Sequence, residues 1–264
     1  MQKVMHPGSI HDTRWGSSGP KVVMVHGSAQ GSEVGGQRHF SAQEPLAQRG
    51  WQLIVPDRPG HGRSPAPGRP DDAEADGEWV AELLGDGAHL VGHSFGGCVA
   101  LAAAASRPLV VRSLTLIEPG MQKLAMDDSA VRKFGLQMLI VLRFSLSAAS
   151  RARRFAKLVH IPPEIRGGSS PEEFKRMGQG IARLKVPDKN ALQQELEEVK
   201  RAGIPLMVVT GGWSRAFEAT ADRVAAVGSG RRVVIKSDHH FPQLVSDEFN
   251  QVLAAFLTAS DTRR

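Results

Sequence analysis

The sequence predicts an α/β fold, a doubly wound and mostly parallel β-sheet that carries an inserted helical cap. The first observation is that short apolar runs alternate with helical stretches in the first 120 residues, which is the rhythm of βαβ units. The second is that only helical patterns occur in residues 121–202, after which apolar runs return. We therefore expect residues 1–120 and 203–264 to form the α/β core and residues 121–202 to form the cap.

Six segments are predicted to be strands because each is a short apolar run that ends at glycine or at polar residues, as in a buried parallel sheet. They are residues 21–27, 51–57, 88–94, 111–120, 204–212 and 231–240. Longer amphipathic or alanine-rich stretches are predicted to be helices, two of them stopped by Gly50 and Pro108. They are residues 40–50, 73–85, 95–108, 129–146, 188–203 and 246–260.

The composition excludes several classes of protein. A length of 264 residues suits one domain with an insertion, and a single cysteine, Cys98, excludes a disulfide framework. The N-terminus lacks the apolar centre of a signal peptide, and no apolar run approaches the roughly 18 to 20 residues that cross a bilayer. We therefore expect a cytoplasmic protein without a membrane partner.

The net charge of +6 is concentrated in the predicted cap. Residues 121–200 contain 15 Lys/Arg and 9 Asp/Glu, whereas the rest of the chain contains 18 of each. Phosphates attract such patches, but the densest part, residues 151–160, has little aromatic interleaving and no nucleic-acid-binding motif. We expect a solvated helix surface and no nucleic-acid partner. Steering of an anionic substrate by Arg132, Arg143 or residues 151–157 is a further hypothesis.

The segment GHSFG, residues 92–96, is a G-x-S-x-G pattern between a predicted strand and a predicted helix. In that context the pattern is typical of a nucleophile elbow, in which small flanking residues let the backbone turn sharply and expose the serine hydroxyl. Ser94 is therefore the candidate nucleophile. The backbone N–H of Phe95 would lie at the helix N-terminus, where it can donate to a developing oxyanion.

A serine nucleophile needs a base, and the base needs an acid that orients it. His239 and His240 follow the last predicted strand, at the sheet edge where the elbow also opens. Glu118 closes an apolar strand beside a proline, and packing alone explains this poorly because a buried carboxylate is costly unless paired. Glu118 is therefore the preferred acid. The alternative acids are Glu218, Asp222 and Asp238.

A second oxyanion donor is expected in the loop after the first predicted core strand. The segment VHGSAQG begins at Val25, and the backbone N–H of Ser28 or Ala29 would point toward the site. His26, in the same segment, is expected to hold the loop in place.

Four segments together resemble the α/β-hydrolase fold superfamily. They are VHGS (25–28), DRPGHGRS (57–64), GHSFGG (92–97) and HHFPQ (239–243). The resemblance favours His240 over His239, because HHFP is similar to the usual GHFP of this architecture. The usual position of the acid is occupied here by Ser214, and an acid at Glu118 is similar to the variant placement of certain haloalkane dehalogenases and lactone hydrolases. The resemblance also implies that residues 121–202 form a lid.

The leading hypothesis is a serine hydrolase that cleaves a carboxylic ester or lactone of a small apolar substrate through an acyl-enzyme. Residues 136–144 are predicted to line the substrate pocket or to pack within the cap. Two alternatives stay open: a C–C bond hydrolase acting on a diketone-like substrate, and a ligand-binding protein on the same scaffold. No cofactor or metal is expected, because His26, His39 and His61 lie on separate loops. The expected partner is a small-molecule substrate, and a homodimer is left open.

Overall fold

The computed structural model describes residues 9–27, 29–165 and 170–262. Within these residues seven strands form one sheet in the order β1-β3-β2-β4-β5-β6-β7. Strand β1 is antiparallel to β3, and each of the other neighbouring pairs is parallel. The strands are Asp12–Trp15, Lys21–Val25, Gln52–Pro56, Ala88–His93, Val111–Ile117, Leu206–Thr210 and Arg231–Val234. The predicted mostly parallel, doubly wound sheet is confirmed.

Helices connect the strands and cover both faces of the sheet. In chain order, α1 to α9 are Gly36–His39, Ala73–Leu83, Phe95–Ser106, Ser129–Arg143, Ala148–Leu158, Pro171–Arg183, Lys189–Arg201, Arg215–Gly228 and Asp247–Asp261. Short 3₁₀ helices lie between them at Ser41–Arg49, Pro108–Val110, Gln122–Ala125, Pro163–Ile165 and Pro242–Leu244.

Several elements differ from the prediction, among them β1 and the segment after α1. Strand β1 was not predicted because its half-buried DTRW sequence contains Asp12 and Arg14 and has no apolar run. The segment Ser41–Arg49 is a 3₁₀ helix, not an α-helix. It contains Pro45, which lacks the N–H that an α-helix would use at that point.

The core lies on both faces of the sheet because the central strands are mostly apolar and their side chains are buried on both sides. In β2, Val23 and Val25 pack into the cluster beneath α2, α3, α7 and α8, whereas Val22 and Met24 pack into the cluster that includes Phe249 of α9. Side chains alternate between faces along a strand, so a continuous apolar run is buried on both sides.

The helices between β5 and β6 lie over the carboxyl ends of the strands. Helices α5 and α6 pack against each other through a cluster that includes Ala152, Phe174 and Met177. Helix α7 is different, because Leu192 and Leu196 belong to the cluster of the core itself. The division into a core and a cap at residues 121–202 stays a prediction. Helix α7 lies within that range but packs on the core.

A helix that crosses a membrane must be both long and apolar. Among the described residues, we find no helix with that combination.

Candidate active site

Ser94 lies on a sharp turn between β4 and α3. Its φ of 56° and ψ of −123° place a non-glycine residue at positive φ, a strained conformation that a surrounding structure must enforce. The flanking glycines make the turn possible: a Cβ on Gly96 would lie 2.3 Å from the carbonyl oxygen of Val25, and one on Gly92 would lie 2.5 Å from that of Gly96. This is the local geometry predicted from the G-x-S-x-G pattern.

His240 and Glu118 meet beside the turn. The Nδ1 of His240 lies 3.4 Å from the Oε2 of Glu118, and both side chains are buried. Neither atom has a hydrogen-bond partner elsewhere in the described part of the chain. The other carboxylate oxygen, Oε1, accepts a hydrogen bond of 2.6 Å from the backbone N–H of Gly211. Glu118, with φ of 46°, is thus fixed at one oxygen and faces the imidazole with the other.

Ser94 and His240 line the same cavity. In the described residues no hydrogen bond joins the Ser94 hydroxyl to His240. Catalytic hydrogen bonds are often long in a site without substrate and shorten when substrate binds. Since Nδ1 of His240 faces Glu118, Nε2 is the nitrogen left to act on the serine.

The alternative acids have other partners. Glu218 and Asp222 both pair with Arg232, each at 2.8 Å, and Asp238 is exposed. His239, the alternative base, accepts a hydrogen bond at Nδ1 from the backbone N–H of Phe241. Among these candidates the structure brings only Glu118 and His240 together.

The loop after β2 approaches the serine closely at Gly27. A Cβ on Gly27 would lie 2.6 Å from the Cβ of Ser94. Ala29 and Phe95 line the same cavity as Ser94, so both residues border the site. Ser28, the other predicted donor of this loop, lies outside the described residues.

A cavity of about 390 Å³ opens above Ser94. Its floor is the edge of the sheet that carries Ser94 and His240, and its walls come from the segment after β5 and from α4, α5 and α6. The walls are mainly aromatic, aliphatic and methionine side chains; those from α4, α5 and α6 are Phe134, Met138, Leu139, Leu142, Phe155, Phe174, Met177 and Ile181, with Ala156. The site therefore combines the Ser94 hydroxyl and the His240 imidazole with a mainly apolar enclosure.

The predicted roles of the cap residues are met in part. Met138, Leu139 and Leu142 line the cavity, whereas Leu136 and Phe144 are exposed. None of the cations proposed to steer an anionic substrate lines it; the lysine that does, Lys123, donates a hydrogen bond of 3.0 Å to the carbonyl oxygen of Val186.

The sequence matches the alpha/beta hydrolase family over residues 22–252. The chain belongs to the alpha/beta hydrolase family. This match confirms the family predicted from the four sequence segments, and it spans the turn at Ser94 as well as Glu118 and His240.

Two curated relatives are similar over parts of this α/β hydrolase. Lipase LipV of Mycobacterium tuberculosis is 36% identical over 151 residues, 55% of this chain and 54% of the relative. A pimeloyl-[acyl-carrier protein] methyl ester esterase of Neisseria meningitidis is 31% identical over 206 residues, 73% of this chain and 61% of the relative. The chain thus spans a little over half the length of these two relatives.

Solved structures share the fold. A hydrolase from Oleispira antarctica superposes with a TM-score of 0.72, covering 97% of this chain and 98% of that one, at 15% sequence identity. At that identity the likeness concerns the fold alone.

His93, which sequence reasoning did not single out, packs behind His240 in this α/β hydrolase. Its Nε2 donates a hydrogen bond of 2.8 Å to the carbonyl oxygen of His240, and the two ring centroids lie 4.8 Å apart. Burial, together with the nearby His240, lowers the pKa of His93 well below its ordinary value. His93 is therefore neutral at pH 7 and holds the backbone of His240. In the sequence, the signal for a role of His93 is its position directly before Ser94.

Arg58 is fully buried between two carboxylates. It pairs with Asp71, and at 3.0 Å with Asp76, while its Nη1 donates to the carbonyl oxygen of Gly27 at 3.3 Å. Asp71 also accepts a hydrogen bond of 3.0 Å from the backbone N–H of Gln30. The network thus holds the loop by hydrogen bonds on both sides of Ala29, at Gly27 and at Gln30. The sequence showed Arg58 within DRPGHGRS but not its distant partners.

Three further histidines, His26, His39 and His61, cluster near this loop. The ring of His26 stacks on that of His39 at 4.9 Å and meets that of His61 edge-on at 5.0 Å. Burial lowers the pKa of His39 to about 4 and that of His61 to about 3. The Nε2 of His26 accepts a hydrogen bond of 2.9 Å from the backbone N–H of Arg58, in line with the expected structural role of His26. In the part of the chain that the structure describes, no group of three or more His, Cys, Asp or Glu side chains is arranged to hold a metal ion.

Proposed function

We propose that this α/β hydrolase cleaves carboxylic esters or lactones of small apolar acyl groups through an acyl-enzyme on Ser94. One observation carries the proposal: a serine on a strained turn shares an apolar cavity with a histidine whose Nδ1 faces a buried carboxylate. That arrangement supports a nucleophile, a general base and an orienting acid in the roles of a hydrolytic triad.

In the first half of the reaction His240 acts as the base. Its Nε2 takes the proton from the Ser94 hydroxyl while Oγ bonds to the acyl carbon, and the carbonyl oxygen becomes an oxyanion. Glu118 stabilises the imidazolium and keeps its Nδ1–H toward the carboxylate. The imidazolium then gives its proton to the leaving alkoxide as the C–O bond breaks, which leaves an ester on Ser94.

Two backbone N–H groups are proposed to stabilise the oxyanion. Phe95 is the first residue of α3, so its N–H points out of the helix N-terminus, where negative charge is favoured. The second donor comes from the loop held by Arg58 and Asp71, with Ala29 or Ser28 supplying the N–H. Losing one such donor typically costs about 100- to 1000-fold in rate.

Water completes the reaction. His240 removes a proton from a water molecule that attacks the acyl carbon, and the same proton returns to Ser94 as the acid is released. The net reaction consumes one water and yields one carboxylic acid and one alcohol, so no redox partner takes part.

The cavity supports a neutral, apolar acyl group as the substrate part that binds deepest. Apolar side chains dominate its walls, and the burial of a CH₂ group contributes about 0.8 kcal/mol. The names of the two curated relatives, a lipase and a methyl ester esterase, support ester hydrolysis as the reaction. A lactone fits the same chemistry because its ring is an internal ester.

Turnover of p-nitrophenyl esters of increasing acyl length, by the wild type and by Ser94→Ala, tests the proposal. We expect activity that rises from acetyl to medium-length chains and that Ser94→Ala abolishes. Ser106→Ala, at the other end of the same helix, is the matched control and should keep full activity. Equal rates for wild type and Ser94→Ala would refute an acyl-enzyme on this serine. Turnover of a vinylogous diketone without ester turnover would favour C–C hydrolysis, and ligand capture without turnover a binding protein.

A further inference from the structure

Helix α4 and the segment that follows it expose an apolar stripe to solvent. The stripe consists of Leu136, Leu139, Ile140, Phe144 and Leu146. Phe144 is 71% exposed and Leu146 fully exposed, although large apolar side chains on a surface are usually scattered singly. Positions 136, 139, 140 and 144 recur at helical spacing, so they form one continuous face. The opposite side of α4 is buried through Val131 and Val141.

The same region carries positive charge without compensation. Residues 129–163 contain seven Lys/Arg and no Asp/Glu. Within the described residues none of the seven pairs with a carboxylate: Arg132, Arg151 and Arg154 donate to backbone carbonyl oxygens, and Arg153 lies over the ring of Phe174. Lys133, Arg143 and Lys157 are exposed. The apolar stripe is therefore flanked by cations that no carboxylate of the described residues neutralises.

The stripe is continuous with the entrance of the cavity. Leu139 is 48% exposed and also lines the cavity. Met126 and Val186 share both properties. The rim of the cavity is therefore apolar and adjoins the stripe. If a partner surface covered the stripe, a molecule released from that surface would reach the cavity through this rim.

The charge distribution decides among occupants. A second copy placed face to face on the stripe would bring two groups of seven cations together, and like charges across an interface oppose association. Apolar side chains ringed by Lys and Arg are instead the pattern of a helix that lies in the interfacial plane of an anionic bilayer. An absence of spanning segments, on which the expectation of no membrane partner was based, does not bear on binding at the surface.

We propose that α4 and α5 dock this α/β hydrolase on an anionic lipid surface, with the apolar stripe inserted among the lipids and the cations against the headgroups. Docking in this way presents the rim of the cavity to molecules dissolved in the lipid. The binding itself does not depend on turnover, so it can be tested apart from the proposed function.

The test is co-sedimentation of the full chain with vesicles of phosphatidylcholine containing about 30% phosphatidylglycerol, compared with pure phosphatidylcholine, at about 0.1 M salt. Ser94→Ala serves as background so that no lipid is consumed. We expect binding to the anionic vesicles, at least roughly tenfold weaker binding to the neutral ones, and release as salt is raised.

Two sets of variants separate the contributions of the stripe and the cations. The double variant Phe144→Ser and Leu146→Ser and the triple variant Lys133→Gln, Arg143→Gln and Lys157→Gln should each weaken anionic binding by roughly tenfold or more. The matched controls are Leu109→Ser, which removes a side chain that is 88% exposed elsewhere, and Lys189→Gln, Lys200→Gln and Lys236→Gln together. The second control removes the same net charge, so an effect of net charge alone would weaken both triple variants equally.

Esterase activity reports on whether the variants fold. None of the substituted stripe or cation positions lines the cavity, so a folded variant should keep its activity. In the serine-active background each variant should hydrolyse a water-soluble acetyl ester at the wild-type rate. No binding to either vesicle, equal loss in both triple variants, or a concentration-dependent dimer that Phe144→Ser and Leu146→Ser disrupts would overturn the proposal. Binding of the chain to an acidic protein but not to anionic vesicles would also overturn it.

Discussion

The Oε2 of Glu118 lies 3.4 Å from the Nδ1 of His240, and the Oε1 of the same carboxylate accepts a hydrogen bond from Gly211. Glu118 closes β5, Gly211 follows β6, and His240 lies beyond β7. The carboxyl ends of three neighbouring parallel strands thus supply the acid, its anchor and the base. Ser237 N–H donates to the carbonyl oxygen of Gly211 at 2.9 Å, which ties the loop of His240 to the same point.

This contact predicts that Glu118→Gln removes most activity although the glutamine fits the same space. The neutral amide cannot stabilise the imidazolium, so we expect kcat to fall roughly a thousandfold or more with KM little changed. Steady-state kinetics on an apolar p-nitrophenyl ester measures both. Glu218→Gln is the control, since its partners are Arg232 and Gly212; loss of activity there alone would make Glu218 the acid.

The approach of Gly27 to the nucleophile predicts that Gly27→Ala is harmful. A Cβ at this position would lie 2.6 Å from the Cβ of Ser94 and 3.0 Å from the carbonyl oxygen of His93, so the turn or the loop must shift. We expect a fall in kcat of roughly 100-fold, because a displacement of about 1 Å has that effect in catalytic sites. Gly50→Ala, which strains a left-handed φ of 88° but has nothing near its Cβ, is a control for an effect of backbone strain far from the site and should keep kcat. Wild-type kcat in Gly27→Ala would contradict the close contact.

The buried network of Arg58 predicts a joint loss of stability and activity in Asp71→Asn. Arg58 would keep only Asp76, and breaking a buried ion pair destabilises a protein by about 3 to 5 kcal/mol. The N–H of Gln30 would lose its charged acceptor, so the loop of Ala29 should loosen and kcat should fall as well. Urea unfolding and ester kinetics measure the two effects. Asp86→Asn, which breaks the exposed pair with Lys21, should leave both unchanged, and an equally mild Asp71→Asn would count against the network.

The buried histidines predict that stability falls on acidification. Burial lowers the pKa of His39 to about 4 and of His61 to about 3, below the ordinary value near 6.5. The unfolded chain therefore binds more protons than the folded one between about pH 6.5 and 4, and the free energy of unfolding decreases as the pH falls through that range. Each such histidine contributes up to about 1.4 kcal/mol per pH unit.

Urea unfolding at pH 7.5 and at pH 5 checks this dependence. His61→Asn removes one titrating group and should give a smaller difference between the two pH values than the wild type. Gln137→Asn changes an exposed side chain that does not titrate and should leave the difference as it is. An equal difference between the two pH values in His61→Asn and in the wild type would contradict a lowered pKa of His61 in the folded chain.

The sequence predicted the features that depend on local pattern. The apolar runs of β2 to β6 and the glycines around Ser94 signal buried strands and a tight turn, and both are present. What it could not predict depends on contacts between distant segments. Arg58 meets Asp71 and Asp76 only after folding, and His93 is hidden by its neighbours. The outward side of residues 136–144 is as apolar as the inward side, so hydropathy does not reveal which half lines the cavity.

The most direct test of the central claim is mass spectrometry after reaction with a fluorophosphonate, whose phosphorus is attacked by an activated serine with release of fluoride. We expect one adduct per chain, carried by the peptide that contains Ser94, and labelling that is lost in His240→Ala and strongly slowed in Glu118→Gln. An unlabelled wild type, or an adduct on any other residue, would contradict the assignment of Ser94 as the nucleophile.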